Sequence, residues 1–403
     1  MTTRRAVLAG GASLLATRAR AAVPLKVGVL TEMGGTYAED AGPGSVAAVR
    51  LAVADFQAEG GFAVEVISGD AQTRPDVASA LARSWYDRDG VDLVVDVPVS
   101  NCALAVATVA RERNKAAVFN TSTSELTGRA CSPNHVQWTY DTYALGGSTA
   151  RALLAEGGRT WFLIQADYTF GANLAAEASA VIAAGGGRVL GVVKHPFPGT
   201  TDFSSYLLAA QASGAQVVGL ANAGTDAGNC IKQAGEFGLQ AGGTRLAALQ
   251  CLMPQIRGVG LEAAQGLYNT ESFYWDLNEA TRAWSLRWEA AGQAGLKPSM
   301  IHAGCYSGVL HYLRAVATIG VEAAKADGGA AIAAMKGLAV KDPLFGPGDV
   351  RADGRKVHAV HLFRVKAPGA SKGPWDLYDL VHTTPGDQAF RPLALGGCPL
   401  IHT

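Results

Sequence analysis

From Leu25 onward the sequence repeats one device: a short run rich in Val, Ile and Leu, a polar or glycine break, then a helix-length stretch. "LKVGVL" precedes "GPGSVAAVRLAVADFQAEGG", "FAVEVIS" precedes "RPDVASALARSWYDRDG", and "VDLVVDV" precedes "SNCALAVATVARERN"; "AAVFN" closes the series. Runs this apolar, without alternation, describe strands buried on both faces, and strand–helix units in series build a parallel sheet flanked by helices. The expected class is α/β.

The alternation then restarts. "RTWFLIQ" leads into "GANLAAEASAVIAAGGG", "RVLGVV" into "TDFSSYLLAAQASG", and "AQVVGLA" into "DAGNCIKQAGEFGL", with "TRLAAL" as the last run. One open sheet of that many strands would be unusually large, whereas 403 residues are enough for two domains. Two similar lobes dividing near residues 141–145 explain the restart. "LYNTESFYWD" reads as a crossing back toward the first lobe. Helical patterns follow at "LNEATRAWSLRWEAAG", "CYSGVLHYLRAVATIG" and "GAAIAAMKGL", then the strand "KVHAVHLFRVK" and a polar tail punctuated by Gly and Pro.

The first 21 residues, "MTTRRAVLAGGASLLATRARA", place Arg4 and Arg5 ahead of a short apolar stretch that ends in small residues. This is the pattern of an export signal, and the paired arginines resemble the twin-arginine type. The whole chain balances 34 basic against 34 acidic side chains; without residues 1–21 it carries 30 against 34, a formal charge of −4. No basic block calls for nucleic acid. Six cysteines suit an oxidising destination. Of the fifteen possible pairings, chain order favours Cys102–Cys131 and Cys230–Cys251, which leaves Cys305 and Cys398 over.

Ligands of parallel sheets bind outside the carboxyl ends of the strands, beside helix N-termini. Five segments occupy that position: "TEMGGTY", "PVSNCA", "NTSTSE", "QADYTFG" and "NAGTDAG". Ser100, Asn101, Asn120, Thr121, Ser122 and Thr123 offer neutral hydrogen-bonding groups there. Individually these residues serve equally as caps, Ser100 or Asn101 for the helix at Cys102 and Ser124 for a turn at Glu125. Tyr168 and Phe170 provide either an aromatic wall or packing over the next helix. Asp141 and Glu271 sit at the crossings, where a carboxylate would meet a ligand ammonium or bond within a hinge. Tyr306 reaches either the cleft or the core.

Signals for catalysis are weak. The chain lacks a dinucleotide fingerprint, a phosphate loop and a G-x-S-x-G elbow. His358 and His361, three apart in an expected strand, point to opposite faces and make a poor zinc pair. His195, before Pro196, reads as a loop residue. No cofactor or metal is expected.

Taken together, "KVGVLTEMGG", "VDLVVDVPVSNCALAV", "NTSTSELTG", "YDTYALG", "DYTFG", "HPFPGTTDFSSYLLAAQASGAQVVGLANAG" and "GLYNTESFYWDLNEATRAWS" resemble the type I periplasmic solute-binding proteins of ABC importers, in the leucine/isoleucine/valine-binding family. The resemblance runs from about Leu25 to beyond Lys366. It implies two α/β lobes, each a mostly parallel sheet flanked by helices, joined by three crossings and closing on a small ligand. Lobe 1 would comprise 24–141 plus about 275–350, lobe 2 142–274 plus about 351–390, and 391–403 a tail. It also implies a periplasmic carrier that delivers solute to a membrane permease without turnover; a sensory binding protein and a secreted α/β enzyme are the alternatives.

In amino-acid-binding relatives, loops equivalent to Ser100 and Asn120–Ser122 hold the ligand carboxylate and amino group, and the aromatic motif around Tyr168–Phe170 covers it. Asn222, Ala223 and Gln250 fall in the second-lobe loops that complete the pocket. The sequence departs from that pattern in three places. Phe170 stands where a tyrosine precedes the motif glycine, "LANAG" lacks a tyrosine, and "LQCLMPQ" offers Gln250 and Gln255 but no carboxylate. An aromatic or other small carboxylate ligand is therefore expected as much as an amino acid.

Overall fold

The computed structural model describes residues 23–121 and 123–401. The expected export signal and Ser122 lie outside the described residues. The first part of the chain runs β1 (Leu25–Thr31), α1 (Gly42–Ala58), β2 (Val64–Asp70), α2 (Pro75–Ser84), β3 (Leu93–Asp96), α3 (Ser100–Glu112), β4 (Ala116–Phe119) and β5 (His135–Gln137). These five strands form one parallel sheet in the order β2-β1-β3-β4-β5. Every residue of β3 and β4 is buried, as their unbroken apolar character requires. Each large aliphatic or aromatic side chain buried there stabilises the fold by roughly 1.5–3 kcal/mol.

The chain then crosses to a second sheet through α4 (Thr142–Ala155), β6 (Thr160–Ala166), α5 (Thr169–Ala184), β7 (Arg188–His195), α6 (Ser204–Ala212), β8 (Val217–Ala221), α7 (Gly224–Glu236) and β9 (Arg245–Ala248). Two short helices, α8 (Met253–Val259) and α9 (Leu261–Ala264), lead to β10 (Tyr268–Glu271). Strands β7-β6-β8-β9-β10 repeat the order of the first sheet. The restart seen in the sequence is thus a repeat of topology.

After β10 the chain returns to the first lobe with α10 (Glu279–Ala290), α11 (Met300–Ile319), α12 (Val321–Ala326) and α13 (Gly328–Gly337). Helix α11 packs along α1, its Gly304 and Gly308 allowing close approach to Asn120 and Trp138. A third crossing pairs Arg355 with Gln137 at the edge of β5. It continues into β11 (Val360–Val365), β12 (Tyr378–Thr384) and α14 (Gly386–Ala389), the two strands extending the second sheet in antiparallel fashion.

Three features differ from the sequence expectations. The disulfide joins Cys131 to Cys398, with Cα atoms 5.6 Å apart, whereas Cys102, Cys230, Cys251 and Cys305 are free and buried. Pairing by chain order fails because the tail folds back onto the loop after β4. Strands β5 and β12 were not anticipated: β5 is three residues long, and β12 is an exposed edge strand of largely polar sequence. His358 lies before β11 rather than in it, its ring bonded to the Thr139 carbonyl at 2.6 Å.

Candidate ligand site

A 2-1-3-4-5 strand order reverses direction between its first and third strands, and loops leaving that point diverge to open a crevice. The first sheet presents the loops after β1 and β3 there, and the second presents those after β6 and β8. These two switch points face each other, with Tyr37 and Tyr168 in contact between them, which makes the space there the candidate site.

On the first lobe, β3 ends with Asp96 (φ 84°) and Val97 (φ 56°), consecutive non-glycine residues in the left-handed region. This costly backbone turns the chain sharply into Pro98 and the start of α3. Val99 is the N-cap of α3 and supplies no side-chain cap. The Ser100 hydroxyl and Asn101 Oδ1 are buried without hydrogen-bond partners, so neither acts as the cap that composition allowed. Thr121 donates its hydroxyl to Pro98 O at 2.9 Å, tying the loop after β4 to the loop after β3. Asn120 turns its side chain toward α11, where Nδ2 donates to Cys305 Sγ at 3.0 Å. Thr123, rather than Ser124, caps the turn that follows, accepting from Glu125 N.

On the second lobe, the ring of Tyr168 stacks on Phe197 with centroids 4.0 Å apart and planes within 7°. The Phe197 loop is held by Asp226 in the first turn of α7, which accepts from the backbone of Gly199 and Thr200. Ala223 is the N-cap of α7, again without a side-chain bond. Asn222 and Gln250, at the ends of adjacent strands β8 and β9, are buried, and both polar atoms of each amide lack partners.

Helices α3, α5, α7 and α8, at these strand ends, begin without a side-chain cap; so do α1, α2, α6, α9, α12 and α14, whereas α4, α10, α11 and α13 have one. Free N–H groups at the first set leave partial positive charge beside the strand ends, suited to a carboxylate.

The lobes touch across the site. The Tyr37 and Tyr168 hydroxyls share a hydrogen bond of 2.5 Å, and the α7 N-terminus presses on Thr36 at Gly224. At one flank Asn173 Nδ2 donates to Thr123 Oγ1 (2.5 Å) and Glu125 Oε1 (2.9 Å), while Ser124 donates to Glu177 at 3.0 Å. Arg391 from the tail bonds Ser124 and Glu177 together. This is a closed arrangement. Behind the loop after β1 lies a separate cavity of about 530 Å³, lined by Glu39, Pro43, Arg257, Lys297 and Trp375 among others.

Other residues singled out from the sequence sit elsewhere. Asp141 caps α4 by accepting from Ala144 N at 2.8 Å, with Arg355 at 3.6 Å from its other oxygen. Tyr306 donates to Asp55 at 2.6 Å between α11 and α1. Phe170 is buried in the main core, its centroid 6.1 Å from Tyr168. Glu271 is buried at the end of β10, where Tyr378 donates to it at 2.8 Å and Asn269 at 3.0 Å; burial pushes its carboxyl up to about 8. His195 ends β7, its Nδ1 near Pro196 O and Thr200 Oγ1. Sequence reasoning passed over Phe197, Tyr140 and Asp40. The signal for Phe197 was its place after β7, the strand paired with β6, while nothing in "YAED" marks Asp40 as buried. Among the described residues no group of three or more His, Cys, Asp or Glu is placed to hold a metal ion.

A sequence model of the periplasmic binding protein family matches residues 24–373. The chain belongs to that family. A periplasmic binding protein from Burkholderia mallei is 40% identical to it, with a TM-score of 0.87 over 94% of this chain and 99% of that one. A branched chain amino acid ABC transporter periplasmic ligand-binding protein from Burkholderia xenovorans LB400 is 37% identical, with a TM-score of 0.83 over 93% and 99%. An ABC transporter solute-binding protein from Rhodopseudomonas palustris HaA2, in complex with p-hydroxybenzoic acid, shares the fold at 22% identity, with a TM-score of 0.80 over 90% and 98%. No curated protein matches the chain. This periplasmic binding protein therefore stands among substrate-binding components of ABC transporters, not enzymes. The family is periplasmic, and no helix among the described residues is long and apolar enough to cross a membrane.

Proposed function

We propose that this protein captures one small carboxylate-bearing ligand between its lobes and presents the closed form to an ABC permease in the cytoplasmic membrane. The observation that carries the reading is the set of buried, unpartnered neutral polar atoms at Ser100, Asn101, Asn222 and Gln250, at strand ends of both lobes. Buried polar atoms are normally paired, and a bound polar molecule would pair them. Uncapped helix starts supply backbone donors, so a carboxylate needs no basic side chain. Tyr168 and Phe197 form an apolar wall suited to an aliphatic or aromatic body. Ser122 and the backbone of Asn120 and Thr121 join the site on sequence grounds.

Closure converts binding into a shape that the permease recognises. In this reading residues 1–21 are removed on export, and the lobes comprise 24–141 plus about 275–350 and 142–274 plus about 351–390.

Calorimetry of the mature protein against amino acids, hydroxybenzoates, phenylalkanoates and short organic acids tests the proposal. A single-site isotherm for one acid is expected, weakened about 10-fold in Ser100→Ala by loss of one charge-assisted hydrogen bond. The proposal fails if folded protein binds none of these acids, or if it converts the one it binds.

A further inference from the structure

Asp40 lies in the loop between β1 and α1, and its main chain is fixed from behind. Ser299 donates to its carbonyl at 2.6 Å, and His302 bonds the neighbouring Ala41 carbonyl at 2.8 Å. Its side chain faces the other lobe. The carboxylate is fully buried, and neither oxygen has a hydrogen-bond partner. The Gln255 amide is near enough to favour the ionised form, yet it is not bonded to those oxygens, and Gln255 Oε1 is itself unpartnered.

The titratable groups around Asp40 come from four places. Tyr37 and Glu39 belong to its own loop, Tyr140 follows β5, Cys251 follows β9 and Glu271 ends β10. None bears a positive charge. His302 stands behind the loop on α11, where burial pulls its pKa down to about 4.

An isolated buried carboxylate costs several kcal/mol unless a cation pairs with it. The protein supplies no such cation here. What faces Asp40 from the second lobe instead is Gln255, whose Oε1 is unpartnered, and Glu271; with the Asp40 carboxylate they gather a set of acceptors at one point. An ammonium group, with three donors and no acceptor, is the complement of that set.

We infer that Asp40 anchors a protonated nitrogen of the ligand, which makes the captured molecule an amine-bearing acid rather than a simple organic acid. The inference rests on the interlobe carboxylate reading above: the α3 and α7 starts take the carboxylate and Asp40 takes the nitrogen. Because burial raises the carboxyl well above its ordinary range, the unliganded residue holds a proton that passes to the buffer when the ammonium arrives. Binding therefore strengthens as pH rises above the ordinary carboxylate range.

The test pairs L-leucine with 4-methylpentanoate and L-phenylalanine with 3-phenylpropanoate, titrated into wild type and Asp40→Asn. Thermal melting of the unliganded variant runs alongside; an amide in place of a protonated carboxyl of the same shape leaves it about as stable as wild type. The expected result is an amine-bearing partner that binds wild type at least about 30-fold tighter than its analogue, an advantage lost in Asp40→Asn together with the pH dependence. An affinity for the amine-bearing acid within threefold in Asp40→Asn overturns the inference. So does binding of amine-free acids alone, which leaves the carboxylate reading intact. Binding of 2-phenylethylamine, sensitive to Asp40→Asn, without any acid would keep the role of Asp40 and remove the carboxylate reading instead. Failure of folded protein to bind any of the probes overturns both.

Discussion

Gly224 and Thr36 meet across the cleft: a Cβ on Gly224 would stand 2.5 Å from the Thr36 carbonyl oxygen. Gly224 also has φ +55°, in the left-handed region. Both facts make this glycine a condition of closure.

Gly224→Ala should hold the lobes apart. Backbone strain of about 1–2 kcal/mol adds to the clash, so ligand affinity should fall about 10-fold or more. Small-angle scattering should show a larger radius for the liganded variant than for liganded wild type. A variant that closes to the wild-type radius with unchanged affinity would show that the contact is not limiting.

The Tyr37–Tyr168 hydrogen bond exists only when the lobes meet. Tyr37→Phe should therefore weaken ligand binding several-fold, in keeping with about 0.5–1.5 kcal/mol for one such bond. Tyr168→Ala, which also removes the stack on Phe197, should cost more. Calorimetry on both variants orders the effects; equal losses would deny the stack any part in binding.

Asp141 joins a helix cap to a buried charge. Asp141→Ala uncaps α4 and leaves Arg355, fully buried, without its nearest carboxylate. A destabilisation of about 3–5 kcal/mol is expected, whereas Asp141→Asn keeps the cap and should cost less. Urea denaturation measures both, and equal midpoints for Asp141→Ala and wild type would dismiss the pair as a structural element.

Glu271 carries a pH signature. In the unfolded chain it titrates near 4.5, and in the fold burial pushes it to about 8. Between those values the native state keeps a proton that the unfolded chain has released. Its contribution is complete below pH 4.5 and declines as pH rises through the window, by about 1.4 kcal/mol per unit. Glu271→Gln cannot ionise, yet it retains an oxygen for Tyr378 and Asn269. Without ligand, variant and wild type should melt alike near pH 4, with the variant higher by pH 8. Parallel melting curves across that range would refute the assignment.

Much of the scaffold is legible because its signals are local. β3 and β4 are unbroken apolar runs between helix-length segments, so their parallel pairing follows from burial alone. Ser100 and Asn101 stand out because they follow such a strand. β5 and β12 leave no comparable trace: one is too short for a period, and the other is held by β11 rather than by its own apolar face. Asp40 is invisible for another reason. A carboxylate that follows Glu39 and precedes Ala41 and Gly42 looks like surface, and only the return of α11 behind the loop and of α8 in front buries it. The disulfide is illegible in the same way, since 267 residues separate its cysteines.

That disulfide gives the far end of the chain a fixed address. Cys398 is stapled beside the loop after β4, while α14, a few residues earlier, packs on α4 of the opposite lobe. A fluorophore fused behind Cys398 would ride with the first lobe. Paired with an acceptor dye on the exposed face of α6, it would turn lobe movement into an optical distance signal, and reductant would erase the signal by freeing the donor.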